Sequence, residues 1–386
     1  MIKLVQKKIM AVVAVLVLVI AAAGVVVYTQ SEGGGAEKKG LYRLDATVSE
    51  VNMGQCSATP GVIITLEQMY ADYYGELVND ALTIEDAKKD TAFWDQYGQW
   101  ESIITDNGDT YTVKSVTKDK GEEMVTITKG EIGAVVSLGT MYTETMYFLA
   151  CMQYGVEPYS EEGLNNPDVK NYLQTHIAGG MDYKYYEKND IKYMLNYIDK
   201  SSYIDLGVTS VQAIEKEKLM QGLKDANEKV SKKVIYLASG TRIASGYYEN
   251  NVEPCKQTNN YYAFFGPTTI SEVFSSIECI GYLTGFDDQT IQELIENIQL
   301  RLYKIYYSVQ EKTNGQSAGY AYWESGTGKA ISSSMGEIIV EYLGFDAKLL
   351  DGAEHDLESL LQDKPVYLIF YTNDARTDAE KMRITA

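Results

Sequence analysis

The sequence is poor in the residues that most often carry metal and nucleophile chemistry. Its 386 residues include four cysteines and two histidines. No pair among Cys56, Cys151, Cys255 and Cys279 has CxxC spacing, which argues against zinc ribbons and thioredoxin-type exchange. Cys255 and Cys279 either close a loop, if that part of the chain lies outside the cell, or remain free buried thiols. Four cysteines allow three pairings, and spacing does not choose among them. His176 and His355 stand 179 positions apart, which leaves no His-rich metal site or histidine-based triad in view. Positive charge is scarce as well. Against 54 Asp+Glu there are 34 Lys+Arg, a net charge of −20, so the chain lacks the basic face that displaces counterions from nucleic acid or docks on anionic lipid.

Several catalytic signatures are missing. There is no GxSxG, no HExxH, and no GxGxxG following a strand. The run Glu324-Ser-Gly-Thr-Gly-Lys329 fails as a phosphate loop, because Trp323 stands where the first glycine belongs and Ala330 where the Mg²⁺-binding Ser/Thr belongs. Asp106-Asn107-Gly108 lacks the carboxylate spacing and terminal Glu of an EF-hand. A membrane-anchored hydrolase would need a nucleophile and a base, and no such pair is visible.

What is present reads as globular protein, at 45% apolar and 23% charged residues. The length suits two or three domains with a sizeable core. Tyrosine is over-represented, at 32 residues, reflecting either host composition or a dedicated aromatic binding surface. The one long hydrophobic run is Ile9–Tyr28, twenty residues without a charge. At about 1.5 Å per residue this spans a ~30 Å hydrocarbon layer. Lys3, Lys7 and Lys8 precede it, so a retained helix keeps residues 1–8 cytoplasmic and places the remainder outside. The rival is a cleaved signal peptide, since Ala21-Ala22-Ala23-Gly24 resembles a cleavage site. No cysteine follows closely enough for a lipobox. Residues 29–40, with Gly33-Gly34-Gly35, form a short flexible tether.

Residues 41–130 form a mixed preamble, with helical spacing at Leu66–Leu82. A hairpin is expected from 101–105 and 109–116 around Asp106-Asn107-Gly108, because Asn-Gly tolerates positive φ. From Glu131 the pattern alternates. Ala134–Leu138 reads as a buried strand, followed by Gly139-Thr140 and a helix over Tyr142–Tyr154, with Thr140 available as its cap and Glu144 in its first turn. Such a strand–turn–helix leaves backbone N–H groups for anionic or polar ligand atoms, although ordinary βα loops share these features. Further strands are expected at Tyr203–Leu206 and Val234–Ala238, with a helix over Val211–Val230 capped by Ser210. This β-α-β-α rhythm implies a parallel sheet with helices on its faces. Pro267 opens a helix through Ile280, and Asp287 or Asp288 caps a long one to about Lys312. Its apolar positions Ile291, Leu294, Ile295, Ile298, Leu302, Ile305 and Val309 keep 3-4 spacing. After a Gly315-Gln316-Ser317 break, Ala318–Trp323 and Val366–Tyr371 read as strands, and Met335–Leu343 and Leu357–Leu361 as helices. The expected fold class is α/β, with two lobes of mostly parallel sheet joined by a long helix. The first lobe is 131–266, the interlobe helices 267–314 and the second lobe 315–386.

Ala134–Tyr154 resembles the opening strand–loop–helix of the helical-backbone (class III) solute-binding proteins, the extracytoplasmic receptors of ABC importers for iron–siderophores, haem, cobalamin and related chelates. Other segments resemble family elements in the family's order. These are the hairpin Ile103–Val116, Gly281-Tyr-Leu-Thr-Gly285 with the long helix after it, Ala318–Trp323, Ser332–Gly344, and Asp356–Leu361 followed by Lys364–Tyr371. The resemblance covers roughly residues 101–386. It implies a binding protein, not an enzyme, with no resident cofactor and a largely preformed cleft that takes a metal chelate. The cleft would be faced by Thr140, Tyr142 and Thr143 from the first lobe, bordered by Tyr247, Tyr248, Tyr261 and Tyr262, and approached by Trp323, Glu324 and Lys329 from the second. The family docks on its permease, which works with an ATPase, through one acidic residue per lobe. Glu358 matches in the second lobe. In the first, Lys192 stands where the glutamate belongs, and Asp190 or Glu187 would substitute. The chain also ends sooner after its last strand than family members do, so a truncated second lobe is expected. With Lys192, this leaves open a surface sensor or adhesion module that keeps the fold without transport.

Overall fold

The computed structural model describes residues 24–29, 42–43, 62–63, 81–118, 121–313, 317–324, 329–332, 346–347, 354–355 and 367–372, with side chains over 81–118 and 121–307 except Thr241. The chain divides into two compact units, one of residues 1–93 with 299–386 and the other of residues 94–298.

The first unit begins with strands β1 (Gly24–Thr29), β2 (Tyr42–Arg43) and β3 (Val62–Ile63), then helices α1 (Ile84–Lys89) and α2 (Thr91–Phe93). Residues 24–28 belong to the apolar run expected to cross a membrane as a helix, yet they form a strand. Val25-Val26-Val27-Tyr28 is β-branched and aromatic, side chains that fit a pleated surface better than a helix. Residues 9–23 lie outside the described residues, and among those described no helix is long and apolar enough to cross a membrane. The helix expected over 66–82 also falls almost wholly outside them. α1 starts on a capping box, in which Thr83 accepts from the Asp86 amide and the Asp86 carboxylate accepts from the Thr83 amide.

The second unit carries the parallel sheet. A π-helical turn, Trp94–Gly98, leads into β4 (Ile104–Asp106), β5 (Thr110–Thr117) and β6 (Gly121–Thr128), an antiparallel three-stranded sheet. The expected hairpin is present. Gly108 takes φ +87° at its tip, and the Asn107 amide donates to the Thr110 carbonyl at 2.9 Å. The third strand, β6, had no turn signal strong enough to announce it. Then come β7 (Ile132–Leu138), α3 (Thr140–Gln153), α4 (Pro167–His176), β8 (Ile177–Gly180), α5 (Tyr183–Lys188), α6 (Lys192–Tyr197), β9 (Ile204–Asp205), α7 (Lys216–Val230), β10 (Lys233–Ala238), α8 (Ser245–Gln257), β11 (Tyr261–Phe264) and α9 (Ile270–Leu283). The five parallel strands lie in the order β11-β10-β7-β8-β9. β7 is central. Ala134 through Leu138 are all at most 4% exposed, as a strand covered on both faces must be.

Two expected caps are absent. Ser210 does not start a helix; it holds a local turn by accepting from the Gln212 amide at 3.3 Å, and α7 begins at Lys216. Thr140 lies inside α3, whose N-cap is Gly139 with no side-chain hydrogen bond. α9 starts from a Thr269–Glu272 capping box, three residues beyond Pro267.

The 26-residue α10 (Asp288–Thr313) is continuous. The Asp287 carboxylate accepts from the Thr290 amide at 2.8 Å, as a cap does. Its residues 288–298 belong to the second unit and 299–313 to the first. Gly281 lets α9 approach α10, since a Cβ there would lie 2.5 Å from Ile291 Cγ1. Strands β12 (Ser317–Glu324), β13 (Lys329–Ser332), β14 (Asp346–Ala347), β15 (Glu354–His355) and β16 (Tyr367–Thr372) follow. With β1–β3 they form an eight-stranded sheet in the order β15-β13-β12-β16-β1-β2-β3, with β14 beside β12. β1 runs antiparallel to β16, and β12 parallel to it. The helices expected at 335–343 and 357–361 lie outside the described residues.

Candidate functional site

In the five-stranded sheet, β7 and β8 build outward in one direction and β10 and β11 in the other. The chain therefore reverses direction between β7 and β10, and open α/β sheets bind ligands outside the carboxyl ends of the strands at such a point. Leu138 and Ala238 are register partners, so the two strands leave the sheet side by side. Gly139-Thr140 follows β7. Ser239 and the 3₁₀ turn Gly240–Arg242 follow β10. The α3 N-terminus has no side-chain cap, and its first backbone N–H groups are left for other acceptors. Arg242 is exposed on the adjoining turn and has no ion-pair partner among the described residues. Gly240 is obligatory there, since a Cβ would stand 1.8 Å from the Val116 carbonyl oxygen. Gly266, after β11, packs against Ser239.

Thr140 is half-buried at this rim. Tyr247, in the first turn of α8, is 36% exposed on the segment that follows Arg242. Tyr142 and Thr143 do not face an opening. Tyr142 is 1% exposed, and its hydroxyl donates to the Phe265 carbonyl at 2.5 Å while the two rings meet edge-on. Thr143 is fully buried and shares a 2.9 Å hydrogen bond with the Tyr193 hydroxyl. At positions three and four of an α-helix lying on a sheet, side chains turn inward, and these two are structural.

The remaining tyrosines are also engaged. Tyr248 and Tyr262 both donate to Glu123, at 2.8 and 2.9 Å, tying α8 and β11 to β6. Tyr261 lies at the opposite end of the sheet. Its hydroxyl donates to the Glu131 carboxylate and accepts from the Thr128 amide at 3.2 Å. Lys233, ion-paired to Glu131 at 2.7 Å, sits 4.8 Å over its ring. The charge-assisted bond from Lys233, then that from Tyr261, holds Glu131 below the usual carboxylate range. Tyr261 thus belongs to the amino ends of the strands, away from the rim.

Trp323 and Glu324 close β12 and Lys329 opens β13, with Glu324 and Lys329 register partners; their side chains, and Glu358 altogether, lie outside the described residues. Asp190 and Glu187 are exposed and already paired, Asp190 to Lys192 at 2.6 Å and Glu187 to Lys200 at 2.6 Å. Exposed pairs of this kind contribute only about 0–1 kcal/mol, so either acid can change partners at little cost.

Two groups, Arg242 on the turn after β10 and Glu144 within α3, were not among the expected site residues. Arg242 follows a buried strand and a small-residue turn, the same signal that singled out Gly139-Thr140. Glu144, one turn into α3, accepts a 2.6 Å hydrogen bond from the Tyr159 hydroxyl. Burial raises its carboxyl from 4.5 to about 7, against the lowering effect of that bond. Its surroundings are aromatic. Tyr147 and Tyr193 stack at 4.9 Å, with Tyr159 edge-on to both. This cluster joins residues from Glu144 to Tyr193 and could not be read from spacing. Of the cysteines, Cys151, Cys255 and Cys279 are free and buried, so Cys255 and Cys279 do not pair. Among the described residues no group of three or more His, Cys, Asp or Glu could hold a metal ion.

The rim therefore offers backbone N–H donors, a hydroxyl, a guanidinium with no ion-pair partner among the described residues, and an exposed tyrosine. Such a surface suits an anionic or polar ligand of moderate size.

No protein-family model and no curated protein matches the sequence. Solved structures similar to it include the periplasmic haem-binding protein HutB of Vibrio cholerae, at 14% identity and TM-score 0.38, over 60% of this chain and 74% of that one. The iron-uptake ABC transporter substrate-binding protein PiuA from Streptococcus pneumoniae aligns at 13% and 0.43, over 71% and 85%. The periplasmic vitamin B12-binding protein BtuF of Vibrio cholerae aligns at 12% and 0.39, over 61% and 74%. At these identities and TM-scores the likenesses carry no functional argument.

Proposed function

We propose that the protein is an extracytoplasmic solute-binding protein that captures an iron or other metal chelate, of the siderophore, haem or cobalamin class, and delivers it to an ABC importer. The observation that carries this reading is the reversal point between β7 and β10, where the uncapped start of α3 and the exposed Arg242 follow neighbouring strands. Siderophores, haem and cobalamin present carboxylate, phenolate, phosphate or amide oxygens at their periphery, and an N–H cluster with a guanidinium recognises oxygens of that kind. The order of family-like segments from Ile103 to Tyr371 supports the same reading. Thr140, Arg242 and Tyr247 are the contacts. In this reading the apolar run at 9–28 is an anchor or export signal, and Glu358, with Asp190 or Glu187, meets the permease.

Titration of intrinsic Tyr/Trp fluorescence with a ferric siderophore, haemin, cyanocobalamin and free molybdate tests it. Saturable quenching by at least one chelate, weakened roughly tenfold or more by Arg242→Ala, is the expected outcome. A flat response to all four, or quenching that Arg242→Ala leaves untouched, overturns the reading.

A further inference from the structure

At the end of the sheet opposite the rim lies a cavity of about 190 Å³, walled by β5, β6, the start of β7 and the ends of α4 and α9. Ile132, the first residue of β7, lines it. The lining reaches along β7 to Val135, and Leu138, at the rim, is three residues beyond that, roughly 10 Å at about 3.3 Å per residue. The cavity is thus a separate place from the site proposed above and does not rest on that reading.

Its polar chemistry centres on His176, the last residue of α4. The Nδ1 atom lies 2.8 Å from the Tyr172 carbonyl. A carbonyl only accepts, so Nδ1 carries the proton, and Nε2 of the neutral ring is a bare acceptor. No described residue donates to Nε2. The ring is held face-on against Tyr172, with centroids 4.2 Å apart and planes 21° apart. Tyr172 is itself fixed by donating to the Thr284 carbonyl at 3.0 Å. Burial keeps His176 below its ordinary value, hence neutral at pH 7.

The rest of the wall combines two tyrosines with aliphatic side chains such as Ile127, Ile132 and Leu283. The Tyr111 and Tyr282 rings lie 5.8 Å apart at 35°, a spacing that admits nothing between them but gives a ligand two rings to lie against. Lys129 stands 4.5 Å over the Tyr111 ring, and Asp106 neutralises it at 2.5 Å; Lys232, outside the lining, donates to the Gly130 carbonyl at 3.3 Å, and its charge adds to burial in keeping His176 neutral. One imidazole nitrogen, without two further donors, does not make a metal site. For size, a cavity of about 150 Å³ lined by apolar groups takes up benzene.

We infer that this cavity is a second binding site, for a single aromatic ring bearing a hydroxyl, a phenol or catechol, whose O–H donates to His176 Nε2 while its face rests on Tyr111 and Tyr282. A carboxylate has no proton to give Nε2 and meets a lysine already paired to Asp106, and rings without a hydroxyl leave Nε2 unsatisfied.

The test uses the whole protein labelled with ¹⁵N-histidine. With two histidines in the chain, each imidazole gives a separately assignable set of NMR signals, and His176→Phe assigns this one by its loss. Phenol and catechol are expected to shift the His176 Nε2 signal saturably. Anisole, which has the ring but no O–H, is expected to bind at least tenfold more weakly, and benzoate not at all. His176→Phe, which keeps an aromatic ring against Tyr172, is expected to weaken phenol tenfold, read by saturation-transfer NMR, without altering chelate quenching at the rim. Equal binding of phenol and anisole, an unshifted Nε2 at millimolar phenol, or unchanged phenol affinity in His176→Phe each overturns the proposal. The Nε2 shift in the native chain decides the matter even if the variant does not fold.

Discussion

Glu144 shows how one residue ties burial to pH dependence. Its carboxyl titrates near 7 in the folded chain against an ordinary 4.5. Below about pH 4 both folded and unfolded forms are protonated, and the group costs nothing. As pH rises from 4.5 to 7 the unfolded chain releases this proton first, so stability falls, and above 7 the loss is complete. The shift corresponds to roughly 3 kcal/mol at most, and to less because the side chain is only half-buried. Glu144→Gln keeps an oxygen acceptor for Tyr159 but has no charge to bury. The variant should match the parent in urea unfolding near pH 4 and exceed it at pH 8. A gain of equal size at both pH values would show that burial of the carboxylate is not the cause. Tyr142 shows the opposite case: its position after a small-residue turn suggested a ligand contact, yet one turn of helix geometry aims it at Phe265.

At the scale of the element, start signals decide where helices begin. α9 starts from reciprocal bonds, with Thr269 accepting from the Glu272 amide at 3.2 Å and the Glu272 carboxylate accepting from the Thr269 amide at 3.2 Å. Thr269→Ala should lower stability by about 1 kcal/mol, seen as a fall in the urea midpoint at unchanged slope. No change would mean that packing of Phe274, Ile277 and Ile280 alone sets this boundary. α3 is the converse. With glycine at its N-cap it lacks such a bond, and its free amides are available to a ligand. The strand elements follow another logic. β7 and β10 were legible as short apolar runs, whereas β8, Ile-Ala-Gly-Gly, carries almost no strand signal. It pairs because Gly179 and Gly180 allow close approach: a Cβ on Gly180 would meet the Ser137 carbonyl oxygen at 2.0 Å, and its φ is +152°.

For the whole molecule, charge is the property that composition controls most directly. A net charge of −20 over 386 residues repels itself, and the described ion pairs are surface pairs of small individual worth. Raising NaCl from about 0.02 to 0.5 M shortens the screening length from roughly 20 Å to about 4 Å, so the thermal midpoint should rise with salt, read by differential scanning fluorimetry. A falling midpoint would mean that surface ion pairs outweigh the repulsion.

Local physics made much of this legible in advance. The Asn-Gly hairpin, the buried strands β7 and β10, the capped α10 and the parallel α/β rhythm all follow from periodicity, φ preference and capping, which act over a few residues. Where side chains finish depends on partners far away in sequence. Tyr262 on Glu123, Tyr159 on Glu144 and Tyr193 on Thr143 span 139, 15 and 50 positions. Only the packed structure could turn candidate ligand tyrosines into cross-links, or leave Arg242 unpaired at the strand ends. The bare His176 nitrogen likewise depends on what α4 and α9 happen to surround. A hydrogen bond is satisfied by whichever partner folding brings within 3 Å, and that choice is made by the tertiary arrangement, not by the neighbours in the chain.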